Sequence, residues 1–155
     1  MTTKTMPRMR RGLWRCQSGA ELVEFALVFP TLLLVLGGVV DLGMLFQRYE
    51  VITNAAREGA RIAVLPDYAG NVSGNVNARV TQYLTAAGLT GTPTIGVVET
   101  PIAAGTQCIK VQTVTVSYDS DLLILGPVFT LFGGGTARII TATSSMREEL
   151  AATGC

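Results

Sequence analysis

The stretch SGAELVEFALVFPTLLLVLGGVVDLGMLF, residues 18–46, decides the fold of this 155-residue chain. From Leu22 to Phe46 its only charged side chains are those of Glu24 and Asp41. A helix of this length rises about 37 Å at about 1.5 Å per residue, which is enough to cross the hydrocarbon core of a bilayer. We therefore predict a transmembrane helix over residues 22–46, with Asp41 near the outer membrane interface rather than buried.

The charges around this helix are unevenly distributed. The chain has 12 basic and 11 acidic residues, and five of the basic ones precede Glu21, the first acidic residue. Basic residues before a span and few after it predict a cytoplasmic N-terminus. We expect residues 1–19 to form a basic leader and residues 66–155 to form an extracytoplasmic head. No basic patch with interleaved aromatic residues is present, so a nucleic-acid partner is not expected.

Residues 48–65 continue the long helix, which we place over residues 20–65, as an amphipathic segment. Apolar residues recur at spacings near three and four. They are Val51, Ile52, Ala55, Ala56, Ile62 and Ala63. Two interpretations of Arg57, Glu58 and Arg61 remain open. They form a solvated face on which Glu58 and Arg61 pair, or they dock the helix on the sheet or on a neighbouring subunit.

The head alternates between helix and strand patterns. Pro66 ends the long helix, and a loop over 67–75 and a helix over 76–87 follow. Strands are predicted over 94–100, 109–118 and 138–146, with a hairpin loop over 101–107. The result is an α+β fold with a small antiparallel sheet and a short extra helix. The apolar segment 122–132 is too short for a second span, and it is interpreted as core, with an exposed interaction loop as the alternative.

The three cysteines, Cys16, Cys108 and Cys155, have none of the close spacings of zinc or thioredoxin-like sites. In an extracytoplasmic head a disulfide between Cys108 and Cys155 is expected, and it would attach the C-terminus to the head. The alternative is two unpaired thiols.

The chain lacks the residues that most catalytic sites need. It contains no histidine, which removes the usual general base and the commonest metal ligand. Asp119 and Asp121 are close in sequence, but nothing near them completes a calcium ligand set. We expect no enzymatic activity, no metal site and no cofactor.

The sequence Gly19-Ala20-Glu21-Leu22-Val23-Glu24-Phe25, between the basic leader and the apolar helix, resembles the cleavage motif of type IV-like prepilins. The resemblance implies that a prepilin peptidase cuts between Gly19 and Ala20. The new α-amino group of Ala20 would be a cation near neutral pH. In a filament, Glu24 of one subunit would then pair with this amine in a neighbour and set the register, next to Phe25. The alternative is that the Glu24 carboxylate only interacts favourably with the positive end of the helix dipole.

Two further stretches sharpen this resemblance. The run AAREGAR at residues 55–61 and the run TATSSMRE at residues 141–148 are similar to the TadE-like family, minor pilins or pseudopilins of tight-adherence (Tad) pili. The resemblance implies a type IV pilin-like fold and a non-enzymatic role in pilus assembly at the bacterial inner membrane. The implied partners are the membrane, a prepilin peptidase, other pilins or pseudopilins, and the assembly platform. Incorporation into the pilus stays open.

The alternative from another class is an uncleaved, single-span periplasmic binding or scaffold module. It requires neither a cut after Gly19 nor a free amine on Ala20.

Overall fold

The computed structural model of the protein describes residues 17–104, 107–148 and 152–153. The chain divides into two compact units, Met1–Leu36 and Gly37–Cys155, each described by itself. The first contributes the N-terminal part of the long helix. The second holds the rest of that helix and the whole head.

Helix α1 runs over Gln17–Ala63, with Pro30 inside it. It ends shortly before Pro66 because the residue that precedes a proline is disfavoured in helical conformation. A 3-10 helix, Pro66–Asn71, follows. The predicted loop over 67–75 is therefore wrong, since this segment is helical throughout.

Helix α2 runs over Val72–Ala86 and begins one turn earlier than predicted. The side chain of Asn71 caps it by accepting a hydrogen bond from the backbone N–H of Gly74, at 3.1 Å. At the other end Gly88 adopts a φ of 83°. The backbone N–H of Leu89 then reaches the carbonyl of Leu84, which closes the helix as glycine C-caps do.

Three long antiparallel strands form the sheet, in the order β1-β2-β3. They are β1, Thr94–Ala104; β2, Gln107–Asp121; and β3, Ala137–Arg147. A short strand β4, Ala152–Thr153, pairs with the start of β2. The predicted hairpin loop over 101–107 is too long, because pairing continues to Ala104 and resumes at Gln107. Pro101 is compatible with pairing because β1 is an edge strand.

The core lies between one face of the sheet and the helices α1 and α2. Its fully buried side chains include Ile52 of α1, Val80 of α2 and Val114 of β2. Gly59 sits where these three elements meet. A Cβ atom at this position would lie 2.8 Å from Cγ2 of Val80 and 3.2 Å from Cγ1 of Val114. The glycine and its alanine neighbours in AAREGAR therefore allow α1 to approach both the sheet and α2 closely.

The opposite face of the sheet is polar. Cross-strand hydroxyl pairs connect β2 to β3 at 2.9–3.2 Å, as expected for threonine and serine in direct register. The pairs are Thr113–Ser145, Thr115–Thr143 and Ser117–Thr141. The alternation of TATSSMRE thus places hydroxyls on the exposed face, while Ala142 enters the core.

Between β2 and β3 lies helix α3, Leu125–Leu131. The interpretation of segment 122–132 as core is wrong for much of its apolar surface, and the exposed alternative describes it better. Leu122 and Gly126 are buried, but Leu131 and Phe132 are 85% and 86% exposed. The whole is an α+β, pilin-like fold with a long apolar N-terminal helix and a small antiparallel sheet.

Candidate membrane and subunit interaction surfaces

The N-terminal part of α1 presents the residues of the predicted cleavage motif. Gly19 and Ala20 are exposed and helical. Glu24 is also exposed, and it makes no hydrogen bond or ion pair with any residue that the structure describes. The ring of Phe25 stacks on that of Phe29, with centroids 5.1 Å apart and 23° between the planes. Glu24 is therefore a carboxylate that its own chain leaves unpaired among the described residues.

The surface around Glu24 is apolar for several helical turns. Every large hydrophobic residue from Leu22 to Leu36 is exposed. They are Leu22, Val23, Phe25, Leu27, Val28, Phe29, Leu32, Leu33, Leu34, Val35 and Leu36. A helix that is hydrophobic all round and not covered by protein requires lipid or other apolar helices around it. Among the described residues, α1 is the one helix long and apolar enough to cross a membrane.

Asp41 lies in the same apolar helix but in a very different environment. It is 1% exposed, so the expectation that it remains unburied near the interface is wrong. Its carboxylate accepts hydrogen bonds from the backbone N–H groups of Leu123, Ile124 and Leu125, at distances of 2.7–3.1 Å. Leu125 is the first residue of α3, and Leu123 and Ile124 directly precede it, so none of these N–H groups has a partner within that helix. Asp41 therefore caps α3 from another element.

Gly37, one turn before Asp41, allows this contact. A Cβ atom at Gly37 would lie 2.5 Å from Cγ2 of Ile124, closer than real Cβ contacts come. The glycine therefore gives Ile124 room against α1 and brings the start of α3 within reach of the Asp41 carboxylate. A Gly-Gly pair in a membrane helix favours flexibility when considered alone, but Gly37 has a packing role here.

Arg48 makes a second attachment two helical turns after Asp41. Its guanidinium donates hydrogen bonds to the hydroxyl of Ser120 and, at 3.2 Å, to the backbone carbonyl of Asp121. Positions 41 and 48 are seven residues apart and therefore share one face of the helix. Asp41 and Arg48 together hold the segment from β2 to α3 against α1.

The Glu58–Arg61 pair on α1 forms as the spacing predicts, at 3.1 Å. The same carboxylate also accepts two hydrogen bonds from Arg79 of α2, at 2.9 and 3.1 Å. Hydrogen bonding from Arg61 and then from Arg79 lowers the pKa of Glu58. Glu58 therefore connects α1 to α2, while Arg57 is exposed.

A second polar cluster joins β1, β2 and the residue that follows β3. Lys110 pairs with Glu99 at 3.0 Å. The buried amide of Gln112 donates to Glu99 at 2.8 Å and to Glu148 at 3.0 Å. The hydrogen bond from Lys110, followed by that from Gln112, lowers the pKa of Glu99. This cluster borders a cavity of about 990 Å³ that also reaches Arg61 on α1.

No motif indicated the strand cluster in the sequence. Its residues come from β1, from β2 and from the position after β3, and only the strand register brings them together. The direct pairing of Glu99 with Gln112 across the β1–β2 hairpin is the one part that a correct hairpin length would have revealed.

Cys108 is buried and disulfide-bonded. It pairs in the sheet with Ala152 of β4, three residues before Cys155 in the sequence. Cys155 itself lies outside the described residues, so the Cys108–Cys155 pairing stays a prediction. The residues described contain no group of three or more His, Cys, Asp or Glu side chains that could hold a metal ion.

A comparison with protein families gives a match at the helix just described. Residues 19–61 match the model of the family described as TadE-like protein. This chain carries a TadE-like segment. The segment begins at the predicted cleavage glycine and ends at Arg61, so it contains Glu24, Asp41, Arg48 and Gly59.

The TadE-like segment therefore covers both the exposed apolar part of α1 and the part that packs on the head. No curated protein and no solved structure gives a significant match to the chain. The match makes residues 19–61 similar to TadE-like proteins, and the helix in this segment is long and apolar enough to anchor the chain in a membrane.

Proposed function

We propose that this protein is a minor pilin or pseudopilin that acts in Tad pilus assembly at the bacterial inner membrane. A prepilin peptidase removes residues 1–19 and leaves Ala20 as the new N-terminus. The N-terminus begins in the cytoplasm, α1 crosses the membrane, and the head lies in the periplasm. The partners are other pilins or pseudopilins and the assembly platform, and the protein performs no catalysis.

The observation that carries this proposal is the state of Glu24. Its carboxylate is exposed and without a partner among the described residues, it lies five residues after Gly19, and apolar side chains surround it. A carboxylate at the edge of an apolar surface costs free energy unless a cation compensates it. The α-amino group of a neighbouring subunit, released by cleavage before Ala20, supplies that cation at the same helix level.

The first experiment tests the cut. The full chain is co-expressed with a prepilin peptidase, and its N-terminus and intact mass are measured. We expect a start at Ala20. Gly19→Val should block the cut, while Gly12→Val, the matched change within the basic leader, should leave it unaffected. An intact N-terminus beside an active peptidase would contradict the proposal and favour the uncleaved single-span binding or scaffold module.

The second experiment tests the role of the carboxylate. Glu24→Gln should still be cleaved but should join other pilin subunits poorly, about 10-fold less than wild type, because the buried amine of the neighbour loses its counter-ion. Glu21→Gln is the matched control, since it removes a carboxylate from the same helical turn. Equal effects of the two changes would mean that Glu24 does not pair with a neighbouring subunit and only interacts with the helix dipole.

A further inference from the structure

We propose that α3 and the glycine turn that follows it insert into the outer leaflet of the membrane beside α1, as a second, non-spanning membrane contact. The occupant of this exposed apolar surface is lipid. The inference requires only that α1 spans the membrane, and it does not depend on the pilin function proposed above.

The first argument is the character of the segment. Residues 122–137, LLILGPVFTLFGGGTA, contain no charged side chain. Leu123, Leu131 and Phe132 are 70%, 85% and 86% exposed. Contiguous exposed apolar side chains of this size mark an interaction surface.

The second argument is position along the membrane helix. Asp41 holds the first turn of α3 directly against α1, and Val39, Val40 and Leu42 beside it are exposed apolar residues. Asp41 lies five residues before Phe46, the end of the predicted span, which corresponds to about 7–8 Å along the helix axis. The start of α3 is therefore at the level of the outer leaflet. At seven residues, α3 is too short to cross the bilayer.

The third argument is that backbone groups at both ends of α3 find hydrogen-bond partners within the protein. Lipid supplies no hydrogen bonds, so a backbone that enters it needs internal partners. At the start, Asp41 accepts from three consecutive N–H groups, and the N–H of Leu122 reaches the carbonyl of Thr136 at 3.1 Å. The Thr130 hydroxyl donates to the carbonyl of Pro127 at 2.7 Å.

The end of α3 is closed in the same way. Gly133 adopts a φ of 76°, and its N–H reaches the carbonyl of Thr130 at 3.1 Å. The N–H of Gly134 reaches the carbonyl of Phe129 at 2.8 Å. This glycine C-cap satisfies carbonyl groups that would otherwise require water. Pairing at both ends of α3 lowers the cost of placing this segment in lipid.

The fourth argument is the charge at the boundary. Arg138, the first charged residue after the segment, places its guanidinium 5.7 Å from the centroid of the Phe129 ring. At a membrane interface an arginine can keep its aliphatic stem and a neighbouring apolar ring among the acyl chains while its cation reaches the headgroups. Asp121 precedes the segment, so charged residues flank it on both sides.

Depth-dependent quenching tests the proposal. The full chain is reconstituted in phosphatidylcholine vesicles that contain brominated lipids. Its single tryptophan is removed by Trp14→Phe, and a new one is introduced by Phe132→Trp or Leu131→Trp. Interfacial apolar side chains lie roughly 5–10 Å below the headgroup boundary, so shallow bromines should reduce emission about two-fold, and more than deep ones do.

The matched control is Val98→Trp, because Val98 is also an exposed apolar residue, 59% accessible, but lies in β1. We expect no quenching there. If brominated lipids do not quench the emission of the tryptophans introduced at positions 131 and 132, the proposal is overturned. Blue-shifted, unquenched emission that reverts as the protein is diluted in lipid would also overturn it, since a second copy would then cover α3.

Discussion

The two parts of α1 place their acidic side chains in opposite environments. Glu24, in the unit that ends at Leu36, is exposed and has no partner among the described residues. Asp41, in the unit that begins at Gly37, is buried and accepts hydrogen bonds from three backbone N–H groups of its own chain. One carboxylate stabilises the fold and the other remains available to another chain. Apolar context alone therefore does not indicate which of these carboxylates finds a partner within its own chain.

The same contrast applies to the small residues of α1. In the second unit, Gly37 and Gly59 lie where a Cβ atom would collide with α3, α2 or the sheet. Gly43, on the same helix, has nothing within 4 Å of such a position. Small residues in this helix are thus required at packing contacts and are replaceable between them.

The largest effect on the fold is expected from Asp41→Ala. It leaves three N–H groups at the start of α3 without a partner, which costs about 3 kcal/mol of local stability and accelerates amide exchange over residues 122–132 about 100-fold. Asp41→Asn keeps one acceptor oxygen and should have an intermediate effect. Hydrogen-exchange mass spectrometry in micelles measures both. Asp119→Ala, an exposed control, should leave these exchange rates unchanged. Unchanged exchange rates in Asp41→Ala would show that Asp41 does not cap α3.

Gly59→Val should have the next largest effect. Its side chain would overlap Val80 and Val114, and overpacking of this kind costs about 1–3 kcal/mol in the free energy of unfolding. Gly43→Val is the matched change in a position with open space and should cost less than about 0.5 kcal/mol. Denaturant unfolding of the full chain in micelles compares them. Equal losses of unfolding free energy in the two variants would mean that the contact of Gly59 with α2 and the sheet is not the reason for the loss.

A smaller effect is expected from pH. The pKa of Glu58 is lowered in the folded state, first by Arg61 and then by Arg79, so its ion pairs stabilise the fold fully above the ordinary glutamate pKa. This contribution is lost as pH falls through the folded-state value. Because both arginines are largely exposed, solvent screening limits it to about 1 kcal/mol or less.

The measurement is the difference in unfolding free energy between wild type and Glu58→Gln, followed from neutral pH to below pH 4.5. We expect the difference to shrink on acidification. Glu50→Gln, an exposed control on the same helix, should show a smaller difference at neutral pH. A Glu58→Gln difference that grows as pH falls would contradict the assigned direction.

The smallest effect on the fold is expected from Glu24→Gln. Since Glu24 has no partner among the described residues, the substitution should change the free energy of unfolding by less than about 0.5 kcal/mol, while assembly with other subunits falls. Thermal unfolding in micelles measures the first quantity. A loss of stability comparable to that of Asp41→Ala would show that Glu24, like Asp41, stabilises the fold of its own chain.

Several elements were predictable because their signals are local. The apolar run predicts the long helix through its length and composition, and alternation of side chains predicts β1 and β2. The Glu58–Arg61 pair follows from the helical repeat alone. The strand ends were less predictable, because Pro101 is compatible with an edge strand only once its neighbours are known.

The sequence by itself determined that the chain has one long apolar helix, an antiparallel α+β head, a motif at Gly19–Phe25 and no histidine. Only the tertiary structure decided the state of Asp41, whose partners are more than 80 residues away along the chain, and the contact of Arg48 with Ser120, 72 residues away. It also decided that α3 is exposed. Periodicity records which face of an element is apolar, but burial depends on which distant segment covers that face, and no local pattern contains that information.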